Sequence, residues 1–184
     1  MTRPATARIA GFTFLFYILV AFPMSRGDVR ISIILTLLSC FCAVVLAVTL
    51  YGITRDVDHE LAIAVLAFRV VEAALGAGGI PDMQASLPAQ NTMLGAPFFA
   101  IGSLIFSYLL LKGRLVPEAL AWVGIVASAL LVVSLPLQVG GYLSGVFTSV
   151  MWLPMLAFEV PLGLWLMIKG VAAPVTAAPP RRWG

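Results

Sequence analysis

Long apolar runs alternate with short polar segments along the chain, and the runs have the length that crosses a lipid bilayer. A spanning helix needs about 17–25 largely apolar residues to cross about 30 Å of hydrocarbon. Cutting the sequence at charged residues, prolines and glycines gives six such runs. They are residues 9–24, 31–54, 61–80, 94–111, 119–139 and 146–168. The pattern predicts an all-α polytopic membrane protein, a bundle of six transmembrane helices within residues 1–170.

Two connections in this pattern are informative. The last two runs belong to one uncharged stretch that is too long for a single helix, and the glycines at 140, 141 and 145 predict the turn that divides it. Residues 81–93 form the longest connection on the side away from the termini, and we interpret them as a solvated turn rather than a lid. Pro97 is expected in the first turn of the fourth span, where its missing N–H costs nothing.

The composition supports the membrane assignment. Of the residues, 61% are hydrophobic and 10% are charged, whereas a soluble domain carries about 25% charged residues. This excludes a water-soluble domain, because such a surface would lack polar groups, and it makes membrane lipids the expected partners. The sequence says nothing about an oligomeric state.

The basic residues define an orientation. Eight lie on the side of the two termini, and only Arg26 and Arg30 lie on the other side. The eight are Arg3, Arg8, Arg55, Lys112, Arg114, Lys169, Arg181 and Arg182. Because Lys and Arg resist translocation, the count predicts cytoplasmic termini in an inner (plasma) membrane. The basic residues stand between apolar runs and form no patch, so no nucleic-acid partner is predicted.

The two ends of the chain are expected to differ. The first run follows Arg3 and Arg8, but no small-x-small cleavage site follows it, so we expect a retained helix rather than a signal peptide. Residues 171–184 contain several prolines and too little apolar periodicity to pack. They are predicted to form a disordered cytoplasmic tail.

Three ionisable residues fall inside the predicted spans: Arg69 and Glu72 in the third and Glu159 in the sixth. Such a group costs about 2.5–3.5 kcal/mol at the bilayer centre and therefore needs a partner or a purpose. Arg69 and Glu72 are three residues apart and share one helix face. At a rise of about 1.5 Å per residue, all three lie about 12–16 Å from the cytoplasmic end of their helices. If the third and sixth helices are neighbours, one guanidinium lies among two carboxylates.

This charge ratio suggests a function, because two carboxylates and one guanidinium leave a net negative charge that a proton on one carboxyl would remove. We therefore expect a ligand or proton site at Arg69, Glu72 and Glu159, with a small-molecule or lipid ligand and with binding or transport as the activity. One alternative is a small intramembrane enzyme in which a carboxyl acts as general acid or base on a lipid or isoprenoid. Another is a structural bundle in which the ion pair fixes two helices.

A short sequence motif occurs twice in the chain, each time beginning at one of the two glutamates. The motif E-x-x-L-G occurs at Glu72–Gly76 and again at Glu159–Gly163, in the third helix of each three-helix half. Three spans per half would make a repeat inverted, as in several transporters with midplane sites. Pro154 and Pro161 flank Glu159, and the carbonyls that they leave free at membrane depth favour a cavity.

The sequence gives little indication of a metal, nucleotide or hydrolase site. The loop at Asp56, Asp58, His59 and Glu60 has metal-ligating side chains, but we expect its acids to cap the third helix, and no metal site is predicted. Nucleotide-binding and hydrolase motifs are missing, and no cofactor is predicted. Cys40 and Cys42 are turned about 200° apart on a helix, so they are interpreted as buried apolar residues.

Several short segments of the chain, taken in their order along the sequence, resemble a known family. They are residues 7–11, Leu50–Gly52 with Arg55, residues 67–73 around Arg69, residues 109–117, and Phe158–Glu159 with the final segment 165–170. Together they resemble the domain of unknown function 4386 family of bacterial multi-pass membrane proteins, over about residues 7–170. The resemblance implies membership and no activity. That family usually has a longer connection between the third and fourth spans than residues 81–93.

Overall fold

The fold of the chain is all-helical. The computed structural model describes residues 3–21, 28–85 and 90–172, and eight helices lie within these ranges. They are α1 (Arg3–Ala21), α2 (Val29–Thr54), α3 (His59–Gly78), α4 (Ile80–Gln84), α5 (Gln90–Lys112), α6 (Glu118–Val139), α7 (Val146–Val150) and α8 (Leu153–Ile168). Six spans, the last made of α7 and α8, are long and apolar enough to cross a membrane. The predicted six-span bundle is confirmed, and the chain is a multi-pass membrane protein.

The helix bounds differ from the apolar runs at several places. α1 begins at Arg3 instead of residue 9, because Arg3 Nη2 donates to the Ile53 carbonyl and Ala7 is completely buried. The charged residues at the start of the chain therefore lie outside the apolar run but inside helix α1. α5 begins at Gln90 instead of residue 94, so Pro97 lies inside the helix rather than in its first turn. The predicted end of the first span, at 24, lies outside the described residues.

The sixth span is interrupted, whereas the sequence predicted one helix over 146–168. α7 ends at Val150, and α8 begins at Leu153 with Pro154 in its first turn. Pro154 has no N–H to donate to the Val150 carbonyl, and a proline fits the first turn of a new helix, so this position favours the break. The turn predicted at residues 140–145 is confirmed, with Gly141 and Gly145 at positive φ.

Two predicted loops are only partly described. The connection at 81–93 contains most of the short helix α4, which packs against α2. Of the predicted tail, Val171 packs against the core and the Ala172 N–H donates to the Leu115 carbonyl. Residues 173–184 lie outside the described residues.

The six long helices form a closed ring. Its order is α1, α2, α3, α5, α6, α8 and back to α1. α3 and α8 therefore lie on opposite sides of the ring instead of side by side. This order argues against an inverted repeat. A two-fold axis in the membrane plane would reverse the sense, clockwise or anticlockwise, in which successive helices follow one another around the ring. Superposing the first three spans on the last three keeps that sense, so the observed ring does not have the order that such an axis would produce.

The ring has two distinct ends. The end that carries Arg3 and Ala172, called the terminal end below, also holds the α2–α3 and α5–α6 connections, as the contacts of Ile53 and Leu115 show. The opposite end is called the distal end. The outer surface exposes apolar side chains such as Phe12, Phe41 and Val133, as expected for contact with lipid.

α1 and α8 cross at two glycines. A methyl group on Gly11 would lie 2.5 Å from the Gly163 carbonyl oxygen and 2.7 Å from the Met167 nitrogen. We expect Gly11→Ala to force these backbones apart and to destabilise the fold by about 1–3 kcal/mol. The control is Gly78→Ala, because a methyl group there meets no atom within 4 Å. Thermal unfolding in detergent measures both, and equal melting temperatures for the two variants would contradict the close crossing.

Asp58 connects two helices at the terminal end. Its carboxylate accepts from the Leu61 N–H at 3.1 Å, which confirms it as the cap of α3, and it pairs with Lys112 at 2.7 Å. The hydrogen bond from Lys112, followed by that from Leu61, lowers the pKa of Asp58.

A carboxyl whose pKa is lower in the folded state stabilises the fold above its ordinary pKa, about 3.9, and loses this contribution as the pH falls further. We expect the melting temperature of the wild type to fall by a few degrees across this range. Asp58→Asn, which keeps the cap but not the charge, should lose less between pH 6 and about pH 3. An identical pH profile for the two proteins would contradict this role.

Candidate functional site

Arg69 and Glu72 form a buried ion pair on α3. Arg69 Nη1 lies 2.8 Å from Glu72 Oε2, and the two residues are 1% and 8% exposed. The spacing of three residues brings both side chains to the inner face of α3, as the sequence predicted. The pair is therefore intrahelical, and it does not by itself connect two helices.

Tyr17 links this pair to another helix. Its hydroxyl, on α1, donates to Glu72 Oε1 at 3.0 Å. Both carboxylate oxygens of Glu72 are therefore occupied, one by Arg69 and one by Tyr17. Sequence reasoning missed Tyr17, although a phenol in the middle of an apolar span was a usable signal, since a buried Tyr hydroxyl needs a partner.

Two aromatic rings cover the Arg69 guanidinium. Its Cζ lies 4.8 Å from the ring centroid of Phe99 on α5 and 5.8 Å from that of Phe14 on α1. Such cation–π contacts stabilise a charge that has been removed from water. The guanidinium still has one unused group, because Arg69 Nη2 has no hydrogen-bond partner among the described residues.

Glycines on α5 allow α3 to come close at this level. A methyl group on Gly95 would lie 3.2 Å from the Glu72 carbonyl oxygen, and one on Gly102 would lie 3.2 Å from Phe68 Cβ. The seven-residue spacing puts both glycines on one face of α5. The close approach keeps the ion pair in the interior of the bundle.

Glu159 projects into the same interior from the opposite side of the ring. It is 4% exposed on α8, and it belongs to none of the ion pairs formed by the described residues. It interacts electrostatically with Arg69 and Glu72 without bonding to either. The neighbouring third and sixth helices considered in the sequence analysis are thus not found, but side chains from opposite walls converge in the interior.

Glu72 and Glu159 both line a partly open cavity of about 400 Å³. The cavity lies in the distal half of the bundle, between α1, α2, α3, α5 and α8, and its walls are mostly apolar. Its polar lining residues are Tyr17, Thr36, Ser39, Cys40, Glu72 and Glu159. Cys42 is buried as predicted, whereas Cys40 is half-buried and faces the cavity.

Two residues that line the cavity, Ser39 on α2 and Glu159 on α8, each contain a buried polar atom without a partner in the described part of the chain. These atoms are Ser39 Oγ and Glu159 Oε1. A buried carboxylate oxygen without a hydrogen bond is costly. The cavity therefore offers unused hydrogen-bonding capacity to a molecule of suitable size, in a range where ligand sites measure about 300–1,000 Å³.

The terminal-end acids have structural contacts instead. Asp56 lies 4.0 Å from Arg3 and 3.8 Å from Arg55, and Asp58 caps α3. Across the residues that the structure describes, no three His, Cys, Asp or Glu side chains gather as metal ligands would.

A comparison with protein families fits this architecture. The family model described as Domain of unknown function (DUF4386) matches residues 18–93 and 86–170. The chain belongs to the DUF4386 family. No curated protein and no solved structure matches this DUF4386 chain. The family resemblance inferred from the short motifs is confirmed, and since the family description states no activity, the function of the DUF4386 site has to be argued from its geometry.

The buried pair predicts a non-additive stability effect. Arg69→Met leaves the Glu72 carboxylate without its cation, which costs about 3–5 kcal/mol for a buried pair. Glu72→Gln strands the guanidinium in the same way. The double variant should be more stable than the sum of the single effects predicts.

The measurement is thermal unfolding of all four proteins in one detergent, with Arg8→Met as a control on the exposed face of α1. Strictly additive losses would contradict a direct pair. A loss for Arg8→Met as large as that for Arg69→Met would show that burial does not matter.

Proposed function

We propose that this protein binds a small, largely apolar molecule that carries one polar group, with Glu159 as the residue that contacts this group. The observation that supports the proposal is that Glu159 lines a partly open cavity while its Oε1 has no hydrogen-bond partner among the described residues. Arg69 and Glu72 have an indirect role in binding. They form an ion pair with each other, and this pair sets the electrostatic environment of Glu159. When the cavity is empty, a proton on Glu159 would remove its charge, which couples binding to pH.

The proposal includes an orientation. We infer that the terminal end faces the cytoplasm, because the basic side chains of Arg8, Arg55, Lys112, Arg114 and Lys169 are exposed there. The cavity would then open in the non-cytoplasmic half of an inner (plasma) membrane, and ligand would arrive from that leaflet or from the outer aqueous phase.

The structural alternative is less well supported than the binding function. An ion pair that fixes helix packing should join two helices, but Arg69 and Glu72 are on the same helix. The interhelical polar contact at this level is the Tyr17–Glu72 hydrogen bond. Neither contact requires Glu159, whose burial is left unexplained by a purely structural role.

The enzymatic alternative keeps one specific observation in its favour. A general acid or base must reach its substrate, and Glu159 faces a cavity whose apolar walls suit an isoprenoid or acyl chain. Binding comes first in both functions, so the test below applies to each.

Binding can be tested with para-fluorobenzyl alcohol, an apolar ring with one hydrogen-bond donor, followed by fluorine NMR with the protein in nanodiscs. We expect saturable line broadening with the wild type. Ala96→Phe, which places a ring in the cavity, should weaken binding by about tenfold or more. The matched control, Ala129→Phe on the exposed face of α6, should bind like the wild type.

Each alternative result has a defined meaning. Absence of saturable binding to the wild type, both of the alcohol and of its charged analogues, would contradict the proposed function. Equal binding to Ala96→Phe and Ala129→Phe would show that the probe occupies lipid or another surface.

A further inference from the structure

We infer that the ligand of this cavity is a monovalent organic cation, an amine or quaternary ammonium group on an apolar body, which pairs with Glu159 and exchanges there with a single proton. The inference rests on the proposed binding function and names the chemical class of its ligand.

The charges inside the bundle support a cation of one unit. Arg69 and Glu72 cancel each other, and both oxygens of Glu72 are occupied, by Arg69 Nη1 at 2.8 Å and by the Tyr17 hydroxyl at 3.0 Å. Among the described residues that line the cavity, Glu159 is then the acid without a counter-charge of its own. One positive charge in the cavity makes the whole site neutral, which a low-dielectric interior favours.

The polar side chains of the cavity wall select against an anion. Glu159 and Ser39 line the cavity, Glu159 Oε1 and Ser39 Oγ have no partners in the described residues, and a carboxylate oxygen only accepts or attracts positive charge. Arg69, the one buried cation among the described residues, is covered by Phe99 and Phe14 and is not part of the cavity lining. An anionic ligand would therefore meet a carboxylate before it met the guanidinium.

The rest of the wall suits an ammonium group on an apolar body. Phe99 and Trp152 both line the cavity, with ring centroids 6.0 Å apart. Aromatic faces attract alkylammonium groups and require no hydrogen bond from them. Ile18, Ala43 and Met155 provide apolar contact for the remainder of the molecule.

Exchange with a proton follows from the same charge balance. The titratable or charged groups that surround Glu159 are Tyr17 from α1, Cys40 from α2, and Arg69 and Glu72 from α3, while α5 and α6 bring none to the cavity in the described residues. A proton on Glu159 and a cation in the cavity together would leave an excess positive charge. Binding of the cation should therefore release the proton, one for one.

The test uses four probes that share a para-fluorobenzyl or para-fluorophenyl group: the neutral alcohol, the primary amine, the trimethylammonium ion and the anionic para-fluorobenzoate. Binding to the protein in uncharged nanodiscs is followed by fluorine NMR. We expect both cations to bind about tenfold or more tightly than the alcohol. This advantage should disappear in Glu159→Gln and persist in Glu118→Gln, the same change at an exposed position at the start of α6.

The proton is measured with the trimethylammonium probe, whose own charge does not depend on pH. Its affinity for the wild type should fall, by up to about tenfold per pH unit, as the pH is lowered through the range where Glu159 binds a proton. Glu159→Gln should give a flat profile. At a pH low enough for Glu159 to be protonated in the empty cavity, calorimetry in two buffers of different ionisation enthalpy should find one proton released per cation.

The failures are distinguishable. If the alcohol binds saturably and the cations bind no better, the inference is wrong while the proposed function stands. If the benzoate binds best, the site is an anion site and the inference is overturned. If no probe binds saturably, the proposed function fails and the inference fails with it. If Glu159→Gln does not fold, a pH-independent affinity of the wild type for the trimethylammonium probe would overturn the inference.

Discussion

A guanidinium buried in a membrane protein has to be compensated where it stands, and this requirement organises the interior of the bundle. Arg69 is compensated by Glu72 on the same helix and covered by Phe99 and Phe14 from two other helices. Tyr17 then completes the carboxylate. Phe99 lies on α5, whereas Phe14 and Tyr17 both lie on α1, so side chains from three helices of the ring surround this one charged pair.

Because Glu72 is fully engaged by Arg69 and Tyr17, Glu159 stands apart from the compensated pair. Its electrostatic environment contains a guanidinium whose charge is already balanced, and the wall beside it is mostly apolar. Such a carboxyl is stable only when neutral or when paired with something that is not part of the chain. The two acids of the cavity wall therefore differ: both oxygens of Glu72 are bonded, by Arg69 and Tyr17, whereas Glu159 Oε1 has no partner among the described residues.

The sequence predicted the elements of this arrangement better than the way they are assembled. Apolar run lengths gave six spans, and the spacing of Arg69 and Glu72 gave the ion pair, because both are local properties of a helix. Depth along each helix correctly grouped Glu159 with the pair. The order of helices around the ring could not be predicted, since it depends on contacts between distant glycines such as Gly11 and Gly163. The contact of Tyr17 with Glu72 follows from that order and was therefore missed, whereas Pro154 and Pro161 had indicated a cavity beside Glu159.

The position of the cavity also constrains what movement a transport function would require. The cavity occupies the distal half, and towards the terminal end the interior is filled by Phe14, Phe106 and Leu162, all nearly or completely buried. The Gly11–Gly163 crossing holds α1 against α8 on that side with backbone atoms in close contact. Release towards the terminal end would need this crossing to open, whereas binding and release through the distal half would not. A binding protein or an enzyme needs only the cavity as it stands, and a transporter needs a second arrangement in which α1 moves relative to α8.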